Sequence, residues 1–164
     1  MQILNTAQIQ QKIRRLAIEI LEHNYAEKKI IFIGINNKGT GFAKLLIKEL
    51  EQLTDIELQL CSVRLNPAEP TKHPVELGIP PKDCQNKALI IVDDVANTGR
   101  TIFYAIKPLM DILPKKVEVA VLVDRKHKSF PIKVDYMGLS LATTLKEHIE
   151  VKIERKKDYA VFLE

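Results

Sequence analysis

Two adjacent aspartates, Asp93 and Asp94, directly follow a continuous apolar run, ALIIV at Ala88–Val92. Such a run is typical of a strand buried on both faces of a parallel sheet. Carboxylates are costly to bury without partners, so they are expected where water or a ligand can solvate them. Ligands of parallel α/β sheets bind beyond the carboxyl ends of the strands. The pair therefore predicts a site for hydroxyl groups and for a cation such as Mg²⁺.

The residues after the aspartates, VANTGRT at 95–101, have the composition of a phosphate-binding turn. Small residues and Gly99 allow backbone N–H groups to point inward at the start of a helix, and Thr98 and Thr101 add hydroxyl donors. A sugar phosphate would satisfy both features, with its phosphate at the turn and its hydroxyls at the carboxylates. The sequence contains neither the P-loop pattern nor the dinucleotide pattern GxGxxG here.

The elements that must hold this site are predicted from apolar periodicity. We expect Thr6 to cap a helix that ends at Asn24, a polar turn at 36–41, a second helix over 42–53 and a third over 100–113. Strands are predicted at 29–35, 57–63, 88–92, 117–123, 132–138 and 151–163. The alternation of strands and helices between residues 29 and 124 predicts an α/β fold with a parallel sheet and right-handed crossovers.

Two proline features interrupt this pattern. Pro108 lies inside the third predicted helix, which must either end near Ile106 and restart or bend at the proline. Because the apolar period continues through Leu109, we expect a bend and a stabilised Pro108→Ala variant. The stretch 64–87 contains Pro67, Pro70, Pro74, Pro80 and Pro81 among many polar residues. It predicts a flexible loop that serves as a lid, with an ordinary surface loop as the alternative.

The bulk composition restricts the class of protein. The 164 residues are enough for one domain, and a hydrophobic fraction of 46% is normal for a globular fold. The net charge of +4 suits an anionic ligand or nucleic acid, although many cytosolic enzymes have the same excess. No apolar run approaches the roughly 20 residues of a membrane span, and the first residues, MQILNTAQIQQ, are too polar for a targeting sequence.

The cysteines and histidines do not predict a disulfide or a metal site. Cys61 and Cys84 lack CxxC spacing, and the four histidines lack the spacing of metal ligands. A reduced, cytoplasmic compartment is therefore expected.

The segment IIVDDVANTGRT at 90–101 resembles the phosphoribosyl diphosphate (PRPP) signature of type I phosphoribosyltransferases. Other collinear segments resemble one branch of that family, the bifunctional pyrimidine operon regulators and uracil phosphoribosyltransferases. These segments are the helix at 9–24, GINNKG at 34–39, VLVDRKH at 121–127 and PIKVDYMG at 131–138. The resemblance covers nearly the whole chain. It implies the type I phosphoribosyltransferase fold in a single domain over 1–164: a mostly parallel twisted sheet flanked by helices, with a small hood formed by the terminal segments.

The resemblance also implies roles for the residues at matching positions. Asp93 and Asp94 would bind the ribose hydroxyls and help to hold Mg²⁺, and Lys38 and Arg64 would complete the catalytic set by facing the diphosphate. The 5′-phosphate would lie at Ala96, Asn97, Thr98, Gly99, Arg100 and Thr101, the diphosphate at Asn37, Lys38 and Gly39, and the base near Asp124, Arg125, Asp135 and Tyr136.

The implied reaction is Mg²⁺-dependent transfer from PRPP to a nucleobase, with uracil as the first candidate and UMP and diphosphate as products. Lys38 replaces an arginine of the family, and the loop after Arg64 is atypical, which bears on catalytic efficiency more than on PRPP binding. Asn97 disfavours a purine, because the 6-oxopurine enzymes of the family have an aspartate at this position.

Two alternatives remain open. The same fold would serve as a regulator that senses a pyrimidine nucleotide and binds an mRNA leader, or as a transferase for another nucleobase. An RNA face would use Arg14, Arg15, Arg125, Lys126, Lys128 and Lys133, although Arg14 and Arg15 also fit a solvated helix face. By analogy with relatives, the resemblance implies a homodimer or a larger homo-oligomer.

Overall fold

A six-stranded sheet forms the centre of the computed structural model, which describes residues 1–144 and 146–164. Strand β1 (Gln2–Leu4) belongs to a smaller sheet, whereas the central sheet contains β2 (Lys29–Ile35), β3 (Glu57–Arg64), β4 (Glu76–Leu77), β5 (Ala88–Ala96), β6 (Lys116–Arg125) and β7 (Tyr136–Leu141). Their order is β4–β3–β2–β5–β6–β7, and every neighbouring pair except β3–β4 is parallel. The predicted α/β fold with a mostly parallel sheet is confirmed.

Helices cover both faces of this sheet. Helices α1 (Thr6–Asn24) and α2 (Asn36–Glu51) pack on one face, and α3 (Arg100–Ala105) packs on the other. Successive strand residues point to opposite faces, so Phe32 packs with α1 and α2 while Ile33 packs with α3. Burial on both faces explains why the strands are continuous apolar runs. Among the described residues, no helix has the length and apolar character that a membrane crossing requires.

Asn5, rather than Thr6, caps α1. The Asn5 side chain accepts a hydrogen bond from the Gln8 N–H (3.0 Å), and the Gln8 side chain accepts one from the Asn5 N–H (2.9 Å). Thr6 instead donates its hydroxyl hydrogen to the carbonyl of Tyr159 (3.1 Å). The predicted cap was one residue late, because asparagine serves at this position as well as threonine does.

The two ends of the chain form the smaller sheet. Strands β1, β8 (Ile149–Lys152) and β9 (Ala160–Leu163) pair antiparallel in the order β1–β9–β8. Residues of this sheet are buried in the same core as α1, among them Val151 and Val161. The predicted hood is confirmed, but the strand predicted over 151–163 is wrong. A 3₁₀ turn at Lys156–Asp158 separates β8 from β9.

The segment 64–87 is more regular than its proline content predicts. After Arg64 it returns as β4, which pairs with β3, and a 3₁₀ turn at Pro81–Cys84 then leads to β5. Arg100 donates a hydrogen bond to the carbonyl of Pro67 (2.8 Å), so the first part of the segment lies beside the β5–α3 turn. Its flexibility and its role as a lid stay predictions.

The strand order changes direction between β2 and β5. From β2 the chain crosses to β3 on one side, and β5 then pairs with β2 on the other side. In open α/β sheets, such a switch point creates a crevice in which ligands bind. The fold therefore opens a crevice at the strand end that carries Asp93 and Asp94.

Helix α3 ends at Ala105, so the predicted bend at Pro108 is wrong. A 3₁₀ turn follows at Lys107–Leu109, in which the Leu109 N–H bonds to the Ile106 carbonyl (2.8 Å). Pro108 is the second residue of this turn, where no N–H is required. Leu109 stays buried, with 4% of its surface exposed, although the helix has ended.

We expect Pro108→Ala to lower the stability slightly, which reverses the expectation from the sequence. Because proline fits the backbone here, alanine gains no hydrogen bond and only makes the unfolded chain more flexible, an effect of about 0.4–1 kcal/mol. Urea unfolding of both proteins measures the difference. A variant more stable than the wild type would show that the proline strains this turn.

Candidate functional site

A cleft opens at the carboxyl edge of the central sheet. Two adjoining cavities of about 430 and 550 Å³ share Asp93, Asn97 and Thr101 in their walls. Together they contain residues predicted from separate segments of the sequence: Asn37, Lys38, Arg64, Asp93, Asp94, Ala96, Asn97, Thr98, Gly99, Arg100 and Thr101. The structure thus brings most of the predicted site residues into one place.

Asp93 is a buried carboxylate in this cleft, with 9% of its surface exposed. Its Oδ1 accepts a hydrogen bond from the Asp94 N–H (2.9 Å). Burial raises the pKa of Asp93 well above its usual value, the negative charge of Asp94 raises it further, and Lys38 opposes the shift. A cation bound at the two carboxylates would stabilise the charged form of Asp93, and so would oppose the effects of burial and of Asp94 on its pKa.

We expect Asp93→Asn to raise the melting temperature of the ligand-free protein at neutral pH. Because the folded-state pKa of Asp93 lies above its unfolded value, wild-type stability falls as the pH rises through the folded-state pKa. The amide keeps the shape of the side chain and removes the charge. Thermal melts over a pH series measure the effect. The gain should vanish in acid, where the wild-type carboxyl is protonated, and a gain that persists there would refute this cause.

The two carboxylates can hold a divalent cation only together with other ligands. The described part of the chain contains no group of three His, Cys, Asp or Glu side chains placed for a metal ion. Mg²⁺ commonly takes one or two protein carboxylates and completes its shell with water and substrate phosphate oxygens. Asp93 and Asp94 fit that arrangement, because both line the larger cavity.

The turn between β5 and α3 has the geometry of an anion site. The Thr98 carbonyl accepts hydrogen bonds from the N–H groups of Ser129 (2.9 Å) and Phe130 (3.2 Å). In a trans peptide the N–H lies opposite the C=O, so the Gly99 N–H points away from that contact, and Gly99 lines the smaller cavity. Gly99 has a φ of 86°, which other residues rarely adopt.

The residues predicted as a polar turn, 36–41, are instead the first turns of α2. Asn36 begins the helix, and its side chain donates to the Leu65 carbonyl (3.0 Å) and accepts from the Leu65 N–H (3.1 Å). Asn37 accepts a hydrogen bond from Arg64 (2.5 Å). These contacts tie the start of α2 to the end of β3. The N–H groups that a first helical turn leaves free belong here to residues that line the cleft.

Gly39 is not among the residues that line the cleft, and its role as a diphosphate ligand stays a prediction. It is buried, and a Cβ here would lie 2.4 Å from the Val92 carbonyl oxygen and 3.3 Å from the Asp93 Cα. Only glycine therefore allows α2 to approach β5 this closely. Its role is to set the distance between the helix and the strand that carries the carboxylates.

Lys38 connects α2 with the hood. Its ammonium group donates to the carbonyl of Val151 in β8 (3.1 Å), which uses one of its three hydrogens. The larger cavity is also lined by Asn36, Pro67, His148 and Ile149, and the smaller cavity by Pro67 and Ala68. Sequence reasoning missed these residues, because their position depends on how the hood and the hairpin pack. The local signals for them were the asparagine repeat at Asn36–Asn37 and, for Pro67 and Ala68, the proline-rich stretch 64–87.

Asp124 and Arg125 lie at the carboxyl end of β6, beside the β5–α3 turn. Asp124 pairs with Lys128 (2.6 Å), and Arg125 donates to Asn97 (3.3 Å) and to Thr143 (2.7 Å). The structure thus places both residues next to the cleft, on the side away from Lys38.

Asp135 and Tyr136 lie at the opposite edge of the sheet, so the prediction that they surround a base pocket is wrong. Asp135 accepts a hydrogen bond from the Val119 N–H (2.8 Å). Val119 precedes Asp124 by five residues, which is about 16 Å along an extended strand. Tyr136 is 1% exposed and donates to Glu118 (2.8 Å). The reason is topological, since β7 begins at Tyr136 and strands begin at the edge away from the cleft.

The basic residues proposed for an RNA face do not form one surface. Lys128 lies at the carboxyl edge of the sheet, 2.6 Å from Asp124. Lys133 lies at the amino edge, 3.8 Å from Asp135. Arg15 donates to the carbonyl of Gly138 (3.0 Å). The side chains of Arg14 and Lys126 are exposed.

Comparison with known proteins agrees with this geometry. Residues 1–156 match the family described as "Phosphoribosyl transferase domain". Curated proteins named "Bifunctional protein PyrR" from Limosilactobacillus reuteri and Haemophilus ducreyi are each 34% identical to this chain. Both alignments cover 93% of the chain, and they cover 91% and 89% of the two relatives.

Solved structures share the fold at low sequence identity. The hypoxanthine phosphoribosyltransferase of Trypanosoma cruzi has a TM-score of 0.79 at 12% identity, over 99% of this chain and 95% of that chain. A hypoxanthine-guanine phosphoribosyltransferase of Bacillus anthracis has a TM-score of 0.73 at 18% identity, over 85% and 81%. The structures show the fold, and the family match over 1–156 together with relatives of one-third identity shows that this chain belongs to the type I phosphoribosyltransferase family.

Proposed function

We propose that this phosphoribosyltransferase transfers the phosphoribosyl group of PRPP to uracil, with UMP and diphosphate as products. The observation that carries the proposal is the order of groups across one cleft: a phosphate turn, two carboxylates and a lysine. This order corresponds to the 5′-phosphate, the ribose hydroxyls and the diphosphate of PRPP. Asn97 and the relatives named Bifunctional protein PyrR favour a pyrimidine as the acceptor.

In this proposal PRPP lies across the end of β5. The turn 97–101 donates to the 5′-phosphate, Asp93 and Asp94 accept from the ribose hydroxyls, and Lys38 faces the diphosphate. Mg²⁺, held by the two carboxylates and by PRPP oxygens, would supply positive charge to the leaving group. The chain, residues 1–164, would act as one unit, because the hood supplies a wall of the cleft.

The cleft stabilises the charge that develops as the bond from C1 to the diphosphate breaks. The electron pair of that bond leaves with the diphosphate, and the ribose becomes an oxocarbenium-like cation. Lys38 and Arg64 provide positive charge beside the leaving group, and Asn37 holds the Arg64 guanidinium there (2.5 Å). A ring nitrogen of uracil then bonds to C1 and loses its proton to solvent.

The base must approach C1 from the side opposite the leaving diphosphate. The strand order puts Lys38 and α2 after β2, on one side of β5, and puts β6 and β7 on the other side. Asp124 and Arg125 end β6, so the base would bind on their side of the cleft.

Diphosphate release from PRPP and Mg²⁺, measured with uracil and a panel of other bases, tests the proposal. Uracil should have the highest kcat/KM. In crystals soaked with UMP, the phosphate should lie against the N–H groups of residues 97–101. A preference for purines would overturn the base assignment, and a phosphate bound elsewhere would overturn the site assignment.

We expect Lys38→Ala to lower kcat by about 10²–10³-fold, the usual effect of removing one donor from a developing negative charge. Affinity for UMP should change little, because a monophosphate lacks the group that Lys38 faces. Steady-state kinetics and calorimetry with UMP measure the two quantities. Lys44→Ala is the matched control, since Lys44 is an exposed lysine of the same helix. Equal losses for turnover and UMP would mean that Lys38 acts through its contact with the hood.

We also propose a second function, nucleotide-responsive binding of an mRNA leader by a homodimer or larger assembly. The name "Bifunctional protein PyrR" and the net charge of +4 favour it, and the exposed Arg14 and Lys126 are candidate phosphate contacts. RNA affinity should fall steeply with salt and change with UMP. Gel shifts with the protein's own operon leader and sedimentation of the free protein test both parts. Binding that is absent at low salt would refute this function.

A further inference from the structure

We propose that Arg125 is a positioning residue that turns the Asn97 side-chain amide so that its N–H donors face the base. The inference rests on the proposed function of the cleft. It gives Arg125 a role through Asn97 instead of a direct contact with the base. It also predicts which edge of the base is selected, namely one that presents a hydrogen-bond acceptor such as a ring carbonyl oxygen.

The Arg125 guanidinium is held by three acceptors of the protein. Its Nη1 donates to Asn97 Oδ1 (3.3 Å), its Nε donates to Thr143 Oγ1 (2.7 Å), and its Nη2 donates to the Thr144 carbonyl. Three contacts define the plane of the group. The neighbouring Asp124 does not compete for it, because that carboxylate pairs with Lys128 (2.6 Å).

This contact sets the polarity of Asn97. A guanidinium only donates hydrogen bonds, so the atom of Asn97 that faces it must be the carbonyl Oδ1. The Nδ2 group then points the other way, and no described residue accepts a hydrogen bond from it. Asn97 is exposed and lines both cavities of the cleft. Position 97 therefore presents two unused donors to whatever fills the cleft.

The position of Asn97 puts these donors on the side of the base. Asn97 immediately follows β5, the strand that carries the ribose carboxylates, and its partner Arg125 ends β6. The β6 side of the cleft is the side away from Lys38 and the leaving diphosphate. The backbone next to Asn97 is also braced, because the Thr98 carbonyl bonds to Ser129 and Phe130.

Asn97→Asp separates the donor from the rest of the site. The aspartate keeps an oxygen for Arg125 but replaces the donors with an acceptor, so affinity for UMP should fall by about 10- to 100-fold. Affinity for ribose 5-phosphate, which has no base, should fall less, because it loses only through the added negative charge near the phosphate turn. Arg125→Gln should cause a smaller loss for UMP of roughly 3- to 10-fold, because the amide is then free to rotate. Arg125→Lys should restore part of it, since lysine is long enough to donate to Asn97 Oδ1, whereas the shorter glutamine is not.

A double-mutant cycle tests whether Arg125 acts through Asn97. In an Asn97→Ala background, Arg125→Gln should have no further effect on UMP affinity. Lys126→Gln is the control, because Lys126 is an exposed cation next to Arg125 in sequence. If Arg125→Gln fails to fold, Arg125→Lys in the wild-type and Asn97→Ala backgrounds tests the same coupling.

Calorimetric titration of each variant with UMP and with ribose 5-phosphate is the experiment. A larger loss for UMP than for ribose 5-phosphate, together with coupling of the two positions, is the expected result. Equal losses for the two ligands, or additive losses in the cycle, would overturn the inference and leave the proposed function standing. A wild-type protein that binds neither ligand nor PRPP would contradict the proposed function and the inference with it.

Discussion

Asp94→Asn should weaken PRPP binding in the presence of Mg²⁺ by about 10- to 100-fold, the value of one hydrogen bond to a charged group. Asp94 lies half-buried near the end of β5, where it lines the cleft beside Asp93. The amide keeps the shape but loses the charge that ribose hydroxyls and Mg²⁺ require. The fold should be unaffected, because Asp94 is not a member of the apolar cores.

Calorimetric titration with PRPP measures this loss, and circular dichroism checks the fold. Asp111→Asn is the matched control, because Asp111 is an exposed carboxylate outside the residues that line the cleft. An unchanged affinity for PRPP would remove Asp94 from the ligand set. An equal loss in Asp111→Asn would mean that net charge, not the cleft, sets the affinity.

Gly39→Ala should destabilise the protein by about 2–3 kcal/mol, at the upper end for overpacking a core. The added Cβ would lie 2.4 Å from the Val92 carbonyl oxygen, so it would collide with the backbone of β5 while it is fixed to the backbone of α2. Neither can rotate out of the way as a flexible side chain can. Since Asp93 Cα is also within 3.3 Å, the shift should move the carboxylate and weaken PRPP binding as well.

Gly41→Ala provides a matched comparison in the same helix. A Cβ at Gly41 would meet nothing within 4 Å, so alanine should stabilise α2 by roughly 0.5–1 kcal/mol through its helix propensity. In urea unfolding, the free energy of unfolding should fall in Gly39→Ala and rise in Gly41→Ala. Similar effects at the two positions would show that the close approach of α2 to β5 is not what requires Gly39.

Local sequence was sufficient where one short stretch carries all the determinants. The buried strand at 88–92 and the turn with Gly99 were predicted correctly, because apolar continuity and turn composition act over a few residues. The strand itself continues past its predicted end, through both aspartates to Ala96. Predictions failed where two local outcomes compete closely. The apolar period around Pro108 suits both a bent α-helix and a helix followed by a 3₁₀ turn, because Leu109 is buried even though the helix ends at Ala105.

Motif order along the chain also did not reveal which edge of the sheet a residue occupies. Asp135 and Tyr136 belong to a segment that resembles the family. However, Asp135 immediately precedes β7 and Tyr136 begins it, so both lie far from the cleft. Asp124 and Arg125 end β6 and lie beside the cleft. To know which edge a residue occupies, one must know where its strand starts. Composition predicted the start of β7 at residue 132, four residues before its observed start at Tyr136.

By itself, the sequence determined the α/β class and the strand-and-turn unit at 88–101, because these follow from periodicity and turn chemistry within single segments, whereas the hood was expected only from the resemblance to the family. Only the tertiary structure decided how that unit is completed. The contact of Lys38 with Val151 joins residues 113 apart, and that of Arg125 with Asn97 joins residues 28 apart. The close approach of Gly39 to Val92 is of the same kind. Such contacts depend on where helices and strands meet after folding, so no local propensity encodes them.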